Sequence, residues 1–412
     1  MSAAHATPVG GKLVNRTFLF LLLLWALGSA AGLVRFTQGL GAASGMNDGF
    51  PWGIWIAVDV VVGTALGSGG FAVAMLIYVL NRGRYHPLIR PALLTAALGY
   101  TAGATAIVFD VGRYWNLWRV PIAPLTSGGR FIYNWNSGLL EVALCVMAYT
   151  AVLWIEVSPP ILARWREEGP GPLKAVGALL LPLVRPLLPV VLALGLVLPM
   201  MHQSTLGSLY LVSVTKLHKL WHTPLLPLFF LITCVGMGYA AVVLEAVFSA
   251  WSFKRRIETE LISELTRIMA WLSLAFVVVR LADVTLRGRL PLAFSSGFLS
   301  LVFWAELALA LAAAGLLWGL HRTSDAGALV RAAAVLVAAG GLYRVDVYLT
   351  AFDPGNGWHY FPAVGEILVT LGILAVETMV FIFVVRRYPI LAGAPLPGTT
   401  PAPAASAAGG RP

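Results

Sequence analysis

Ten apolar stretches, each near the roughly 20 residues a helix needs to cross a hydrocarbon core, decide what this 412-residue chain can fold into. They run over residues 17–34, 53–80, 91–111, 136–157, 187–201, 225–248, 265–286, 297–319, 328–349 and 363–386. In lipid every backbone polar group must be paired within the structure, so stretches of this length are read as helices. The expected fold is all-α, a polytopic transmembrane bundle. Only 11% of the residues are charged, against about 25% in an ordinary soluble domain, and a soluble fold is excluded.

The fifth stretch is short and carries Pro199; upstream residues from Leu173 would lengthen it into a kinked span. The first follows Lys12 and Arg16 and ends in Gly28-Ser29-Ala30-Ala31, which resembles a signal-peptide cleavage region. Its apolar run is long for that purpose, so it is read as a retained helix. Residues 1–16 form a cytoplasmic N-terminus in this reading, 17–388 the membrane domain and 389–412 a flexible Pro/Ala/Gly-rich cytoplasmic tail.

The net charge of +10 could indicate nucleic acid, but its placement says otherwise. With ten spans both termini lie on one side. That side collects eighteen Lys and Arg, the opposite loops collect eight, and Arg280 and Arg344 fall inside spans. Basic residues mark the cytoplasmic side, so both termini are expected there and no nucleic-acid partner is. The two cysteines, Cys145 and Cys234, sit apart inside apolar stretches, which leaves no basis for a disulfide framework, a zinc site or an iron-sulfur cluster.

The loops on the far side are rich in Trp, Tyr, His, Asn, Gly and Pro, as in GFPWGIW (Gly49 to Trp55), DVGRYWNLWR (Asp110 to Arg119) and KLHKLWHTP (Lys216 to Pro224). An interfacial aromatic belt accounts for Trp and Tyr, but not for the His, Asn and Asp among them. A docking or ligand-entry face is expected.

Acids inside spans are costly and mark ion, proton or ligand routes. Asp59 shares a helical face with Gly63, Gly67 and Gly70, small residues that let a neighbouring helix approach. Glu141 enters just below the outer surface, Glu306 lies deeper, Glu366, Thr370 and Glu377 share a face, and Glu245 sits near an inner end. Acids at successive depths suit a proton relay. The plain alternative is neutral acids or local ion pairs, Arg280 with Asp283 and Arg344 with Asp346. For His202, Pro199 and the polar run His202-Gln203-Ser204-Thr205 suggest a span that breaks near the outer surface beside an imidazole able to meet a ligand carbonyl; an interfacial capping histidine is the alternative. A b-type haem needs facing histidines within the membrane, whereas all seven histidines are read as lying at span ends or in loops. No haem is expected.

Asp110 to Glu141 faintly echoes the seventh and eighth spans: an Asp at the outer helix end, a basic turn, Ser-Gly-x-Leu (Ser137 to Leu140; Ser296 to Leu299) and a Glu in the next helix. Two related four-helix bundles with peripheral helices are the implied arrangement.

The segments GFPWGIWIAVD (Gly49 to Asp59), NRGRYHPLIRPALL (Asn81 to Leu94), DVGRYWN (Asp110 to Asn116), NSGLLE (Asn136 to Glu141), LPMMHQSTLGSL (Leu198 to Leu209), KLHKLWHTPLLPLF (Lys216 to Phe229) and FDPGNGWHYFP (Phe352 to Pro362) resemble the NrfD-like integral membrane subunits. Within that family they are most similar to the HybB type, the membrane subunit of periplasm-facing nickel-iron hydrogenases. The resemblance implies a subunit of the bacterial inner membrane without its own redox metal. Electrons would come from the hydrogenase catalytic and small subunits through a ferredoxin-like iron-sulfur subunit on the periplasmic face. They would pass to a bound menaquinone or ubiquinone. It points to His202 and Glu141 as quinone or proton groups. Asp59 and Asp110 are read beside it as their neighbours, Tyr114, Trp115 and Asn116 as quinone contacts, and Glu306, Glu377 and Glu245 as relay members toward the cytoplasm. The alternatives are a different electron donor, a molybdopterin enzyme or multihaem cytochrome, a membrane anchor without a quinone site, and a secondary transporter.

Overall fold

The computed structural model describes residues 6–122 and 133–391. His5, Arg130, Phe131 and the tail beyond residue 391 lie outside the described residues.

Ten helical spans cross the structure: α1 (Arg16–Gln38), α2 (Trp55–Val79), α3 (Gly83–Asp110), α4 (Gly138–Glu168), α5 (Gly171–Val212), α6 (Leu226–Phe253), α7 (Thr259–Leu286), α8 (Phe298–Trp318), α9 (Ala326–Thr350) and α10 (Val364–Arg387). Local chemistry sets several ends. The side chains of Asn15, Ser137 and Asp325 cap the first turns of α1, α4 and α9 by accepting from the amides of Phe18, Leu140 and Ala328. These ten helices make the chain a multi-pass membrane protein.

α2 to α5 form one four-helix bundle, each packing on the next, with α5 closing on α2; α6 to α9 form a second in the same way. α2 and α5 meet α6 along the seam between them, and α1 and α10 pair on the outside against α3. The seam is tight because it is built from glycines. A Cβ on Gly69 would lie 3.1 Å from the Gly238 carbonyl oxygen, and one on Gly238 would lie 3.0 Å from the Ser68 carbonyl carbon. α1 and α10 touch through Gly28 and Gly372 likewise. The apolar core divides into two large clusters, with a small third of Trp55, Val60, Ala106 and Val369. One cluster gathers Leu88, Leu153, Met269 and Leu317 toward the ends where the termini lie, and the other gathers Phe50, Val142, Trp221 and Phe303 toward the opposite face. Thr64, Ser68, Thr233, Ser273, His202, Gln203 and Arg344, all buried, come from the helices that run through both clusters.

One expectation is corrected. α5 does not break at Pro199: its α-helix runs unbroken from Gly171 to Ser208 through Pro182, Pro186, Pro189 and Pro199. A helical proline crowds the carbonyl four residues back; for Pro199 that residue is Gly195, whose bare backbone packs against the Glu156 carboxylate. α2 itself is not a regular α-helix, since it contains π-helical turns at Trp55–Val60 and Met75–Val79. The glycines expected to admit a neighbouring helix, Gly63, Gly67 and Gly70, lie along α3, while Gly69 faces α6.

Gly238→Ala is expected to lower the thermal midpoint of the detergent-solubilised protein by an amount equivalent to about 1–3 kcal/mol, because the added methyl meets backbone on α2. Gly315→Ala, whose Cβ would meet nothing within 4 Å, is expected to leave it unchanged.

Candidate functional site

The outer loops are knotted to the bundle by one carboxylate. Glu366, fully buried in the first turn of α10, accepts from the amides of Gly45 (2.7 Å) and Ala363 (2.8 Å) and from the Tyr360 hydroxyl (2.6 Å). Tyr360 in turn accepts from the Ile54 amide at 2.8 Å. Burial and the adjacent Glu366 push the Tyr360 phenol above its ordinary range, so it stays a donor. The knot fixes the turn that launches α2. A second tie joins the outer connections of the other bundle: the His218 amide donates to the Ala351 carbonyl (2.9 Å) and the Asp353 amide to the Lys216 carbonyl (2.8 Å).

Between the outer ends of α2 to α5 lies a cavity of about 370 Å³. Trp52 lines it from the turn before α2, Ile56 and Val60 from α2, Ile107 and Asp110 from α3, Val142 and Ala143 from α4, and Leu206 from α5. Arg113 and Asn116 stand at its rim on the turn after α3. The wall is apolar apart from one acid. Asp110 is 7% exposed, and its Oδ1 has no hydrogen-bond partner. Arg35 of α1, itself buried, donates to the Phe109 (2.7 Å) and Val111 (2.8 Å) carbonyls on either side of Asp110, which fixes the end of α3. An apolar chamber with one converging polar group is the usual shape of a small-molecule site.

One helical turn inward from Leu206 stands His202. Its Nε2 lies 3.2 Å from the Thr64 hydroxyl, its ring lies edge-on to Tyr100, and its Nδ1 has no partner. Gln203 donates to the same Thr64 oxygen at 2.9 Å and accepts from Arg344 at 2.8 Å. His202 is therefore wholly buried inside a continuous helix, not at a broken end. Its distance from the outer end of α5, ten residues, corresponds to about 15 Å of helix, half of a bilayer core.

The other expected residues are dispersed. Glu141 accepts from the Thr205 hydroxyl at 2.7 Å, beside the chamber but outside its lining. Asp59 accepts from Thr370 of α10 at 2.8 Å. Glu377 lines a separate apolar groove of about 260 Å³ between α1, α3, α4 and α10. Glu245 accepts from Ser249 on its own helix at 2.7 Å and lines a small cavity at the inner ends with Arg255 and Glu258. Glu306 belongs to the second bundle, accepting from Trp221 at 2.5 Å. Of the aromatic turn after α3, Asn116 reaches the chamber, Tyr114 packs on Phe36 with ring centroids 4.8 Å apart, and Trp115 is exposed. The hydrogen bonds in the structure do not link Glu306, Glu377 and Glu245 into one chain.

The local ion pairs are corrected as well. Arg280 faces Glu306 at 3.7 Å, while Asp283 pairs with Arg287 at 2.6 Å. Arg344 donates to the Val61 and Phe230 carbonyls, to Gln203 and to Thr233. Sequence reasoning passed over Gln203, Thr64, Arg35 and the half-buried Glu156. Arg280 and Arg344 were visible as cations inside apolar spans, a signal that deserved the weight given to the acids.

A polytopic membrane subunit of two bundles with a chamber at one mouth is the class these features define. The family model for polysulphide reductase, NrfD, matches residues 42–349, which takes in both bundles and leaves α1 and α10 outside. The chain belongs to the NrfD family. It is 36% identical over 391 residues to the "Probable Ni/Fe-hydrogenase 2 b-type cytochrome subunit" of Escherichia coli K12, covering 93% of this chain and 94% of that one. A protein of Nitratidesulfovibrio vulgaris Hildenborough is 31% identical over 381 residues, 90% of this chain and 92% of its own. The "Menaquinone reductase, integral membrane subunit" of the same organism is 26% identical over 308 residues, 70% and 69% of the two chains. The first of these names includes a b-type cytochrome. A bis-histidine haem needs two facing imidazoles, and His202 faces Thr64 and Tyr100. Among the described residues no group of three or more His, Cys, Asp or Glu is placed to hold a metal.

Glu366→Gln is expected to replace a carboxylate that accepts from three donors with an amide that repels one of them, costing about 1–3 kcal/mol. Hydrogen–deuterium exchange should then rise at Gly45 and Ile54 and stay unchanged in the second bundle.

Proposed function

We propose that this chain is the membrane-anchor subunit of a respiratory oxidoreductase and that it binds a quinone in the chamber between α2 and α5. The single observation that carries the reading is the chamber itself: about 370 Å³, apolar-walled, at the outer mouth of a membrane bundle, with Asp110 as the one acid of its wall. A quinone ring needs apolar walls for its body and a proton-exchanging group for its carbonyl. In this reading Asp110 supplies that group, and Asn116 at the rim holds the opposite carbonyl.

In this reading the chain lies in the bacterial inner membrane with both termini cytoplasmic, as the asymmetry of its Lys and Arg requires. The chamber then opens toward the periplasm, where a ferredoxin-like iron-sulfur subunit docks on the aromatic outer loops. It brings electrons from a nickel-iron hydrogenase. The identity to the Escherichia coli hydrogenase subunit across nearly the full length of both chains supports that donor. A second reading of the donor alone, another respiratory oxidoreductase, is supported by the menaquinone reductase relative. Protons move through Asp110 at the chamber, with Glu141 beside it and His202 and Asp59 beneath; Glu377 and Glu245 lie on the inward side and take part if protons cross the membrane.

Asp110→Asn in the assembled complex is expected to lower hydrogen-dependent quinone reduction roughly tenfold or more, the scale of a lost acid–base group, while reduction of a soluble dye by the hydrogenase is unchanged. Ile107→Trp, which fills the chamber, should raise the KM for quinone. Unchanged quinone kinetics in both variants would refute the site. Unchanged rates in Glu141→Gln and His202→Ala would remove those two residues from the proton path.

A further inference from the structure

The two bundles are counterparts, and one chamber is open while the other is filled. Gly69 and Gly238 face each other's backbone across the seam. Stepping back equally from each places Thr64 opposite Thr233, Val60 opposite Phe229 and Trp52 opposite Trp221. The threonines behave as counterparts: Thr64 receives His202 of α5, and Thr233 receives Arg344 of α9, each at 3.2 Å. On the second helix of each bundle, Asp110 and Asp283 stand at the outer end, which places Ile107 opposite Arg280. Trp52, Val60 and Ile107 are walls of the open chamber. Trp221, Phe229 and Arg280 therefore stand where the second chamber would be.

That space is occupied. The Arg280 guanidinium is fully buried, with its carbon 5.7 Å from the Trp221 ring centre, 5.6 Å from Phe229, 5.2 Å from Phe303 and 5.4 Å from Tyr343. It donates to the Leu220 carbonyl at 2.7 Å and faces Glu306 at 3.7 Å. Four aromatic faces around a cation form the kind of cage proteins use to hold a cationic ligand; here the cation is the chain's own. The outer acids differ in the same sense. Asp110 leaves an oxygen unpartnered, whereas Asp283 is satisfied by Thr223 at 2.8 Å and Arg287 at 2.6 Å.

We propose that Arg280 is an internal plug, held by its aromatic cage and Glu306, that closes a second ligand chamber equivalent to the open one and so limits the protein to one quinone-class ligand. The proposal rests on the chamber reading above. It makes Arg280 a residue that decides binding stoichiometry.

The test uses the full-length complex in nanodiscs, with 2-heptyl-4-hydroxyquinoline N-oxide as the probe and fluorescence titration for stoichiometry. The triple variant Arg280→Ile, Phe229→Val and Glu306→Gln gives the second bundle the walls of the first and removes the carboxylate that faces Arg280. Wild type is expected to bind one probe molecule and the triple variant two. A folded triple variant that still binds one overturns the plug. Photolabelling of the wild type with an azidoquinone decides the matter if the variant does not fold: label confined to α2–α5 supports the plug, and label on Trp221 or Phe303 overturns it. A wild type that binds no probe instead overturns the open-chamber reading, and the plug is then judged by whether the triple variant gains a site.

Discussion

The structure is organised around one buried guanidinium at the seam of its two bundles. Arg344 is fully enclosed and reaches four helices: its own α9, the Val61 carbonyl of α2, Gln203 of α5, and Thr233 with the Phe230 carbonyl of α6. A charged group placed in a bilayer interior survives only when its donors are met by fixed acceptors, so these helices have to hold their relative positions. The glycines at the same seam make the approach close enough for those hydrogen bonds to form. Through Gln203 and Thr64 the arrangement extends to His202, directly beneath the chamber. The position of the imidazole in one bundle thus depends on a cation from the other.

The chamber is fixed from above by a different carboxylate. Glu366 ties the Gly45 turn and Tyr360 to the start of α2, and Arg35 pins the end of α3 at the carbonyls flanking Asp110. Both come from segments beyond the span that the family model matches, or from its edge. The peripheral pair α1 and α10 therefore has a role besides filling lipid-facing surface. It holds the outer mouth of the first bundle in shape. A site that takes a diffusible ligand from the bilayer needs walls of this kind, since binding strength depends on groups that are already in place.

Much of this was legible from residue order because the bilayer imposes simple rules. Stretches of sufficient apolar length became helices, including α5, whose upstream residues from Leu173 did extend the span. The repeat seen in Asp110, Ser137 and their counterparts pointed to the two bundles that the helix packing forms. Asp110 was singled out as an acid at a helix end, and it is the polar group of the chamber. What escaped was whatever depends on register between distant helices. Pro199 looked like a break because proline removes a backbone donor; the helix nevertheless continues through it, packed along α4. Arg280 and Arg344 looked paired to neighbours in sequence, but Asp283 is taken by Arg287 one turn on, residues two apart such as Arg344 and Asp346 lie on different faces, and the partners of both arginines lie on other helices. Gln203 and Thr64 are ordinary residues in any single stretch and become informative only when the seam brings them together.

The account stands or falls on where a quinone sits. A cryo-electron microscopy map of the intact complex with a bound quinone analogue measures that directly. The account requires ring density within the α2–α5 chamber, one carbonyl within hydrogen-bond distance of Asp110 and the tail leaving toward lipid. Ring density in the groove beside Glu377, against the Arg280 cage, or outside this chain altogether would contradict it.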